Sequence, residues 1–552
     1  MKISRQLAVF FLSSQTIICY AQKKAEHTFS HHYVSKVWVA DNGDGTYKNP
    51  ILNADYSDPD VIRVGDDYYM TASSFNCIPG LPILHSRDMV NWTLINHALK
   101  VQIPEYLYNT PQHGKGVWAP SMNYQNGEFR IYYPDPDFGI YMVKTKDPAG
   151  EWEKPILVME GRGLIDPSVF FDDDGKTYLA LAWAASRAGV NSLLTVYPMN
   201  AEGTKVIGEG KHVYDGHGES HTVEGPKFYK RNGFYYLFAP AGGVATGWQL
   251  VMRSKNILGP YEEKVVMDQG KTNVNGPHQG ALVQTQKGED WFFHFQDKAL
   301  YGRVTHLEPV IWKNNWPIIG DDPDGDGKGQ PVSVHKKPDV GGTYAINTPA
   351  ESDEFNIGTL GLQWQWHANE KLQWSAQIPG KNYLRLFAFP LAKGTKNLWT
   401  VPNLLLQKLP AETFTATTKI KYVVEWDVWQ QKQAGLLMMG NDYGYLSIAE
   451  DGNGYYLSQV FCKDALNSGK EKVLEKFRLK SNEAYLRISV KAPNGLCQFS
   501  FSEDGENYKN IGKPFNAQPD KWIGAKMGLF SISSPDVRTG GYADFDWFRV
   551  SK

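Results

Sequence analysis

A turn followed by an aromatic-rich alternating segment recurs five times between residues 50 and 320. Turn residues followed by alternating aromatic or β-branched residues are typical of β-strands that begin after a tight turn. The aromatic residues that mark successive copies stand 49 to 61 positions apart. The five copies are GDDYYMTAS (65–73), NGEFRIYYP (126–134), DGKTYLALA (174–182), NGFYYLFAP (232–240) and GEDWFFHFQ (288–296).

Each copy is preceded by a second short segment and followed by further strand-like segments. Four short antiparallel strands in every ~55 residues, repeated five times, predict a five-bladed β-propeller. A β-sandwich with a similar number of strands is the alternative, but it does not explain the constant order of segments within each unit. The preceding segments are SDPDVI (57–62), WAPSMNY (118–124), IDPSVFF (165–171), EGPKFYK (224–230) and HQGALVQ (278–284).

The last two hundred residues alternate without that repeat. Segments such as TFTATTKIKYVV (413–424) and LRISVKA (486–492) have the period of two that is typical of half-buried strands. We therefore predict an all-β protein in which a jelly-roll β-sandwich follows the propeller. The predicted organisation is an N-terminal extension (22–47), the propeller (48–335), a linker (336–350) and the sandwich (351–552).

Composition narrows the choice of partner. Lys and Arg number 57 and Asp and Glu 59, so the formal net charge is −2, and no long run of one sign occurs. This balance argues against nucleic acid or an anionic membrane surface as the main partner. The chain is instead rich in flat side chains that can stack on ligands, with 17 Trp, 30 Tyr and 26 Phe.

Residues 1–21 have the pattern of a secretory signal. Lys2 and Arg5 precede an apolar stretch that ends in Cys19-Tyr20-Ala21. The stretch is too short to span a bilayer, so we predict an exported protein, either periplasmic or secreted. Lipidation of Cys19 at a cell surface is the less favoured alternative, because Ile18 is larger than the residue that usually precedes a lipidated cysteine.

Three cysteines remain after such cleavage, namely Cys77, Cys462 and Cys497. Three scattered cysteines form neither a disulfide framework nor a zinc pattern. We expect three buried free thiols, with a 462–497 disulfide as the alternative.

The first strand of each propeller blade lines the central channel, so the segments that precede the repeat should converge. Their leading residues include three carboxylates, Asp58, Asp166 and Glu224, and also Trp118 and His278. One Asp-Pro pair would be explained as a turn. Three acidic groups brought together at equivalent positions repel one another, and such a costly arrangement favours a functional site over three separate turns. Paired carboxylates are the machinery of glycoside hydrolysis, in which one acts as acid and the other as base or nucleophile.

Several motifs resemble glycoside hydrolase family 43 in order and spacing, over about residues 48–335. They are NPILNADYSDPDVIRVGDDYYMTASSF, GVWAPSM, LIDPSVFFDDDGKTYLA, HTVEGPKFYKRNGFYYL, GPHQGALV and GRVTHLEPVIW. The resemblance implies a five-bladed propeller and hydrolysis with inversion, commonly as β-xylosidase or α-L-arabinofuranosidase. DEFN and ADFDWF in the second half resemble the C-terminal lectin-like module of many such enzymes, which either caps the active site or binds glycan.

The resemblance also implies catalytic roles. Asp58 in SDPD matches the general base and Glu224 in VEGP matches the general acid. Asp166 in IDPS matches the aspartate that tunes the pKa of the acid and orients it. SDPDV replaces the commoner form of the first motif, and Asp58 is preferred over Asp60 because it lies nearer the start of the strand.

Four further residues match the surroundings of the first sugar. Phe75 in SSFN, Trp118 in VWAP and Arg303 in YGRV resemble residues that contact it. His278 in GPHQ resembles the axial histidine, which in many relatives lies near a bound cation, often calcium. The implied chemistry requires no cofactor, and a structural calcium is expected.

The sequence thus predicts an exported, inverting exo-glycosidase that releases xylose or arabinofuranose from plant cell-wall glycans such as xylan, arabinoxylan or arabinan. The competing hypothesis is a propeller that binds sugar without cleaving it. Hydrolysis of an aryl glycoside discriminates between the two.

Overall fold

The computed structural model describes residues 32–424, 432–535 and 540–552. The predicted signal segment 1–21, with Cys19, lies outside these residues. Residues 32–552 form one compact unit.

Five four-stranded antiparallel sheets follow one another along the described chain after a short first strand, β1 (Thr46–Lys48). They confirm the predicted five-bladed propeller. The strands of the first two blades are β2 (Asp60–Val64), β3 (Asp67–Thr71), β4 (Gly80–Ser86) and β5 (Trp92–Leu99), then β6 (Ser121–Gln125), β7 (Glu128–Asp135), β8 (Gly139–Thr145) and β9 (Ile156–Glu160). Those of the third, fourth and fifth blades are β10 (Leu164–Phe171), β11 (Thr177–Trp183), β12 (Leu193–Met199) and β13 (Lys211–Asp215), then β14 (Lys227–Arg231), β15 (Phe234–Ala241), β16 (Trp248–Ser254) and β17 (Glu262–Met267), then β18 (His278–Gln284), β19 (Asp290–Asp297), β20 (Arg303–Lys313) and β21 (Trp316–Ile319).

The first strands of neighbouring blades contact each other from β2 to β14, the Tyr229 hydroxyl of β14 accepts from the Leu282 N–H of β18, and β18 contacts β2 to close the ring. The aromatic positions of the repeat pack between blades. Tyr69 of the first blade and Phe129 of the second meet edge to face with ring centroids 4.8 Å apart, and Phe238 stacks on Phe292 at 6.0 Å. The alternation in the repeat therefore supplies the apolar contacts that join one blade to the next.

A small two-stranded sheet joins the entry and exit of the propeller. Strand β1 pairs antiparallel with β22 (Val334–Lys336), and Tyr47 lies opposite His335. The Tyr47 side chain is fully buried, and its hydroxyl donates to the carbonyl of Leu307 at 2.7 Å. The two chain segments that flank the propeller are thereby fixed to its fifth blade.

Two large sheets pack face to face in the second half of the described chain, which confirms the predicted sandwich. The strands are β23 (Gln365–Trp366), β24 (Ser375–Ala376), β25 (Leu384–Phe387), β26 (Phe389–Pro390), β27 (Leu405–Lys408), β28 (Phe414–Val424), β29 (Lys432–Met439), β30 (Tyr443–Glu450), β31 (Tyr455–Cys462), β32 (Glu471–Arg478), β33 (Glu483–Lys491), β34 (Leu496–Ser502), β35 (Lys509–Asn510), β36 (Phe515–Asn516), β37 (Lys526–Ser533) and β38 (Gly541–Ser551). The first sheet has the order β23-β27-β37-β29-β30-β31-β32, with β26 beside β37. The second sheet has the order β24-β25-β38-β28-β33-β34-β35, with β36 beside β34. Both sheets are antiparallel apart from the parallel pair β26–β37.

Helices contribute little to this architecture. The two α-helices of the described chain, α1 (Glu105–Tyr108) and α2 (Ala185–Ala188), have four residues each, and the remaining helices are short 3₁₀ turns at Ala299–Tyr301, Leu372–Trp374, Leu398–Thr400 and Ala465–Asn467. Among the described residues, no helix is long and apolar enough to cross a membrane.

Backbone hydrogen bonds connect the propeller to the sandwich. Ile78 and Trp366 form a two-way antiparallel bridge. The side-chain amide of Asn369 adds two more hydrogen bonds to the Gln102 backbone: it accepts from the Gln102 N–H and donates to the Gln102 carbonyl, both at 2.9 Å. Polar pairing of this kind fixes the register of the interface, because an unpaired buried amide is costly.

The three cysteines of the described residues are free and buried, as predicted from their spacing. Cys77 lies in the propeller, whereas Cys462 and Cys497 lie in the sandwich. The alternative of a 462–497 disulfide is wrong, because Cys462 on β31 and Cys497 on β34 are both free thiols.

Candidate active site

One pocket of about 250 Å³ collects the predicted carboxylates at the meeting point of the propeller and the sandwich. Its walls combine acidic groups, aromatic rings and one arginine. The lining residues are Asp58, Phe75, Trp118, Ala119, Ile165, Asp166, Thr222, Glu224, Gly243, Val244, Gln279, Arg303 and Trp522. Six of the seven predicted site residues are among them, and the seventh, His278, lies behind the wall.

Asp58 lies in the turn before β2 and is only 5% exposed. Its Oδ2 accepts from the hydroxyls of Ser57 at 2.6 Å and Ser73 at 2.5 Å. Its Oδ1 lies 3.3 Å from Nη1 of Arg303. Two hydroxyl donors and a guanidinium therefore hold this carboxylate in one orientation.

Asp166 lies within β10, at a bulge where the pairing with β11 shifts between Ile165 and Ser168. A bulge turns a side chain away from the regular alternation. Oδ2 of Asp166 accepts from the Gly225 N–H at 2.8 Å and from Nε2 of Gln279 at 3.0 Å. Burial, together with the negative charges of Glu224 and Asp58, raises the pKa of Asp166 well above its usual value.

Glu224 lies just before β14, and its N–H donates to the carbonyl of Pro240 in the second strand of its blade. The Trp118 N–H makes the matching bond to Pro134, so these residues occupy equivalent places in two blades. The Glu224 side chain is 27% exposed, far more than the other two carboxylates. It is therefore the acidic group that is best placed to reach a bound sugar.

His278 lies beneath Glu224 with no exposed surface. Its Nε2 is 2.7 Å from Oε1 of Glu224, and its Nδ1 is buried without a hydrogen-bond partner. The sequence predicts a contact between His278 and substrate or metal. The structure places it behind the pocket wall, in contact with Glu224.

Arg303 and two aromatic residues form the side of the pocket near Asp58. Arg303 is buried, and its guanidinium lies over the ring of Phe295 with 4.8 Å between the guanidinium carbon and the ring centroid. The rings of Phe75 and Trp118 lie 6.3 Å apart, and Nε1 of Trp118 donates to the carbonyl of Gly114. The site thus has apolar ring surface beside charged groups, which suits the mixed polarity of a sugar.

Trp522 is a wall residue that the sequence analysis does not predict. It belongs to the loop between β36 and β37 of the sandwich, and it is 45% exposed. Its ring meets Trp118 edge to face at 6.0 Å, and the Arg303 guanidinium lies 5.8 Å from its centroid. The sequence carries no signal for this placement, because Trp522 is one of 17 tryptophans and lies in no motif.

The backbone around the pocket is unusually strained. Asp58, Phe75, Asp166, Thr222, Gln279 and Trp522 all have left-handed φ values, between 39° and 70°. Left-handed backbone is costly for residues with a Cβ and persists only where surrounding contacts enforce it. Six such residues around one pocket indicate that the fold places these side chains against local preference.

Metal-ligating groups occur elsewhere in the described chain. Among its His, Cys, Asp and Glu side chains, the groups compact enough for a metal ion are His113–His367–Asp520 and His294–His306–Glu308, and neither includes His278. Only Nδ1 of His278 is available, so His278 would supply at most one direct ligand. The expected calcium near it stays a prediction, and no catalytic step is derived through it.

Comparisons with known proteins agree with this geometry. Residues 47–317 match the family "Glycosyl hydrolases family 43", and residues 352–551 match "Beta xylosidase C-terminal Concanavalin A-like domain". A "Beta-xylosidase" of Formosa agariphila is 35% identical, over 92% of this chain and 90% of that protein. A "Non-reducing end alpha-L-arabinofuranosidase" of Bacteroides ovatus is 28% identical, over 91% and 94%.

A solved structure extends the likeness to the arrangement of both domains. The crystal structure of a xylan beta-1,4-xylosidase from Bacillus halodurans superposes with a TM-score of 0.79 at 26% identity, over 92% of this chain and all of that one. Hydrolysis in this family needs no cofactor. The chain therefore belongs to glycoside hydrolase family 43, with the C-terminal domain of the β-xylosidase type, and is a glycoside hydrolase.

Proposed function

We propose that this protein is an exo-acting, inverting glycosidase that releases xylose from the non-reducing ends of xylan-type oligosaccharides. The observation that carries the proposal is the convergence of Asp58, Asp166 and Glu224, from three different blades, on one pocket closed on one side by Trp522.

Two of the carboxylates supply the proton transfers. Asp58, held by two hydroxyls and Arg303, takes a proton from the water that attacks the anomeric carbon. Glu224 gives its proton to the departing glycosidic oxygen. Water thus replaces the leaving group from the opposite face of the sugar, which inverts the anomeric centre.

Asp166 influences the protonation of Asp58 and Glu224 and does not itself react with the sugar. Its carboxyl bonds to the backbone N–H of Gly225, the residue that follows Glu224, and it repels negative charge nearby. Repulsion between neighbouring carboxylates favours the state in which one of them keeps its proton. The charges of Glu224 and Asp58 act in turn on Asp166, whose pKa they raise.

The pocket wall favours removal of one terminal sugar. Phe75 and Trp118 offer ring surface from the propeller, and Trp522 adds a third ring from the sandwich. A wall built by two domains blocks one direction in which a polymer could continue through the site. This supports the capping role of the sandwich over a separate glycan-binding role.

Arabinofuranose is the second candidate sugar, because a relative named for that activity aligns over most of both chains. Hydrolysis of aryl β-xylosides and aryl α-L-arabinofuranosides, measured side by side, chooses between them. We expect the xyloside to be cleaved with the higher kcat/KM. A higher value for the arabinofuranoside would replace xylose in the proposal, and cleavage of neither would support a sugar-binding propeller without catalysis.

The stereochemical part of the proposal has its own test. Proton NMR during hydrolysis of a β-xyloside should show α-xylose as the first product. Initial appearance of the β anomer would mean retention and would remove the base role from Asp58. Release of single sugars from xylo-oligosaccharides, followed by chromatography, tests exo action, and early internal cleavage would contradict it.

We also propose that the chain is exported, on the basis of its N-terminal pattern. N-terminal sequencing of the mature protein from a native host should begin at Gln22. Recovery of the intact N-terminus from the cytoplasm would contradict export.

A further inference from the structure

A five-residue segment of the sandwich, Asp520–Gly524, carries Trp522 into the pocket. Trp522 has φ +70°, in the left-handed region that is rare for a bulky residue. Such a conformation persists only if contacts on both sides of the residue hold it. The structure supplies one such contact at each end of the segment, and both come from the propeller.

The first contact is a buried pair between His113 and Asp520. Nδ1 of His113 lies 2.7 Å from Oδ2 of Asp520, and the two side chains are 6% and 7% exposed. Nε2 of His113 lies 2.7 Å from the carbonyl oxygen of Trp399. The imidazole also stacks on the Trp399 ring, with centroids 3.7 Å apart and planes inclined by 13°.

Both partners of the His113 ring are acceptors. A carbonyl oxygen can only accept, and an ionised carboxylate does the same. Burial opposes the ionisation of Asp520, yet the charge of His113 and its hydrogen bond hold the pKa of the Asp520 carboxyl below its usual value. The imidazole is thus held between the Asp520 carboxylate on one side and the Trp399 carbonyl on the other.

The second contact is made by Asp55 at the other end of the segment. Oδ2 of Asp55 accepts from the Gly524 N–H at 2.9 Å, and Oδ1 accepts from the Arg303 N–H at 2.8 Å. A side chain at Gly302 would clash with Asp55 at 2.3 Å, and one at Gly524 would lie 2.5 Å from the Gly302 N atom. Two glycines thus let Asp55 bind the sandwich and the backbone of Arg303 at once.

We infer that His113 and Asp55 are positioning residues that clamp the Asp520–Gly524 segment and thereby set Trp522 in the substrate pocket. His113 precedes Trp118 by five residues, so one propeller loop fixes a ring on each side of the pocket. The inference rests on the proposed function, because it assigns what Trp522 does to the binding of the sugar.

The test is a double-mutant cycle between His113 and Trp522, read by kinetics on the aryl glycoside that the wild type cleaves best. In His113→Gln, the side-chain amide can still donate to the Trp399 carbonyl, as Nε2 does, but no group takes the place of Nδ1 toward Asp520. We expect His113→Gln and Trp522→Ala each to raise KM about fivefold or more with kcat within about twofold. The double variant should be no worse than Trp522→Ala alone, because the clamp has nothing left to position.

Two further variants separate positioning from folding. His113→Asn keeps the donor toward Asp520, so its KM should lie closer to that of the wild type than the KM of His113→Gln. His85→Ala is the matched control, because it breaks another His–Asp pair, His85–Asp67 at 2.8 Å, whose residues do not line the pocket. It should leave KM unchanged even if the melting temperature falls.

Three results would overturn the inference. These are additive effects in the cycle, equal KM values for the Asn and Gln variants, or a rise in KM that follows melting temperature across all variants, His85→Ala included. A fourth is stoichiometric metal in the purified protein whose removal by EDTA reproduces the His113→Gln defect, because a metal would then replace the proton between His113 and Asp520.

The clamp can be tested even if neither aryl glycoside is cleaved. Acrylamide quenching of Trp522, taken as the difference between matched proteins with and without Trp522→Phe, should be stronger in the His113→Gln background. Unchanged quenching would refute the clamp, whereas absence of hydrolysis by the wild type refutes only the proposed function.

Discussion

Asp58 and Asp60 stand two residues apart and are equally buried, yet their surroundings differ in kind. Asp60 lies 3.3 Å from the Lys227 ammonium, accepts from the Met122 N–H at 2.6 Å, and lines a second cavity. Asp58 faces the sugar pocket with Asp166 and Glu224, where Arg303 is the one cation in the described wall. In the cavity of Asp60, one carboxylate is paired with one lysine. In the sugar pocket, three carboxylates share a single arginine.

The difference separates structural from catalytic acids. Burial raises the pKa of Asp60, and the charge of Lys227 opposes that rise. Burial also raises the pKa of Asp166, but there the neighbouring carboxylates add to the rise. A fold that only needed stability would not leave such repulsion uncompensated. Substitutions of the four acids should therefore differ in their effect on turnover.

The largest loss is expected for Asp58→Asn. Loss of the base should lower kcat by about 10²–10⁴-fold on every aryl glycoside, whatever the leaving group, because activation of water is needed each time. Steady-state kinetics, with circular dichroism to confirm the fold, measure this. Turnover within tenfold of the wild type would take the role of base from Asp58.

Glu224→Gln should lose as much turnover on poor leaving groups but much less on good ones. A dinitrophenolate departs without protonation, so kcat should recover by about 10²-fold or more between an alkyl xyloside and a dinitrophenyl xyloside. The same pair of substrates in Asp58→Asn is the control and should show no such recovery. Equal behaviour of the two variants would contradict separate acid and base roles.

Asp166→Asn should have a smaller effect on turnover and a distinctive effect on pH dependence. A carboxyl whose pKa is raised on folding stabilises the protein below its unfolded pKa of about 3.9, and this stability is lost as pH rises through the folded pKa. The neutral amide removes that loss. Urea unfolding at pH 5 and pH 8 should therefore show a smaller decline in the free energy of unfolding for the variant.

The kinetic counterpart of that variant concerns the coupled carboxyls. Asp166→Asn removes one negative charge that repels the other two carboxylates. With less repulsion, the proton needed for catalysis is lost at a lower pH, so the alkaline limb of kcat/KM against pH should move to lower pH. An alkaline limb at the wild-type position, or an unfolding free energy that declines as steeply as in the wild type, would count against the coupling.

Asp60→Asn should have the smallest effect on turnover and a large one on stability. It leaves the Lys227 ammonium buried without its partner, which costs about 3–5 kcal/mol of unfolding free energy. Thermal unfolding and kcat per folded molecule measure the two effects. Asp60→Asn with Lys227→Met should recover much of the stability, and a loss of kcat as large as that of Asp58→Asn would erase the contrast.

Much of the fold follows from local patterns. Each blade needs a turn followed by an alternating strand, so this pattern recurs once in every blade. Five copies, marked by Tyr68, Phe129 and the equivalent aromatic residues, therefore predict five blades. The carboxylates could be found for the same reason, because equivalent places in a repeat converge on the axis. That three acids share a pocket could be predicted, whereas the burial of His278 beneath Glu224 could not, since depth depends on side chains from other strands.

By itself, the sequence determined the five-bladed propeller, the sandwich, the free thiols and the three acidic positions, because each follows from spacing along the chain. Only the tertiary structure decided that Trp522 enters the pocket, since its loop is positioned by His113 and Asp55, more than 400 residues away. No local pattern encodes a contact of that separation. It exists only once two independently patterned domains have packed together.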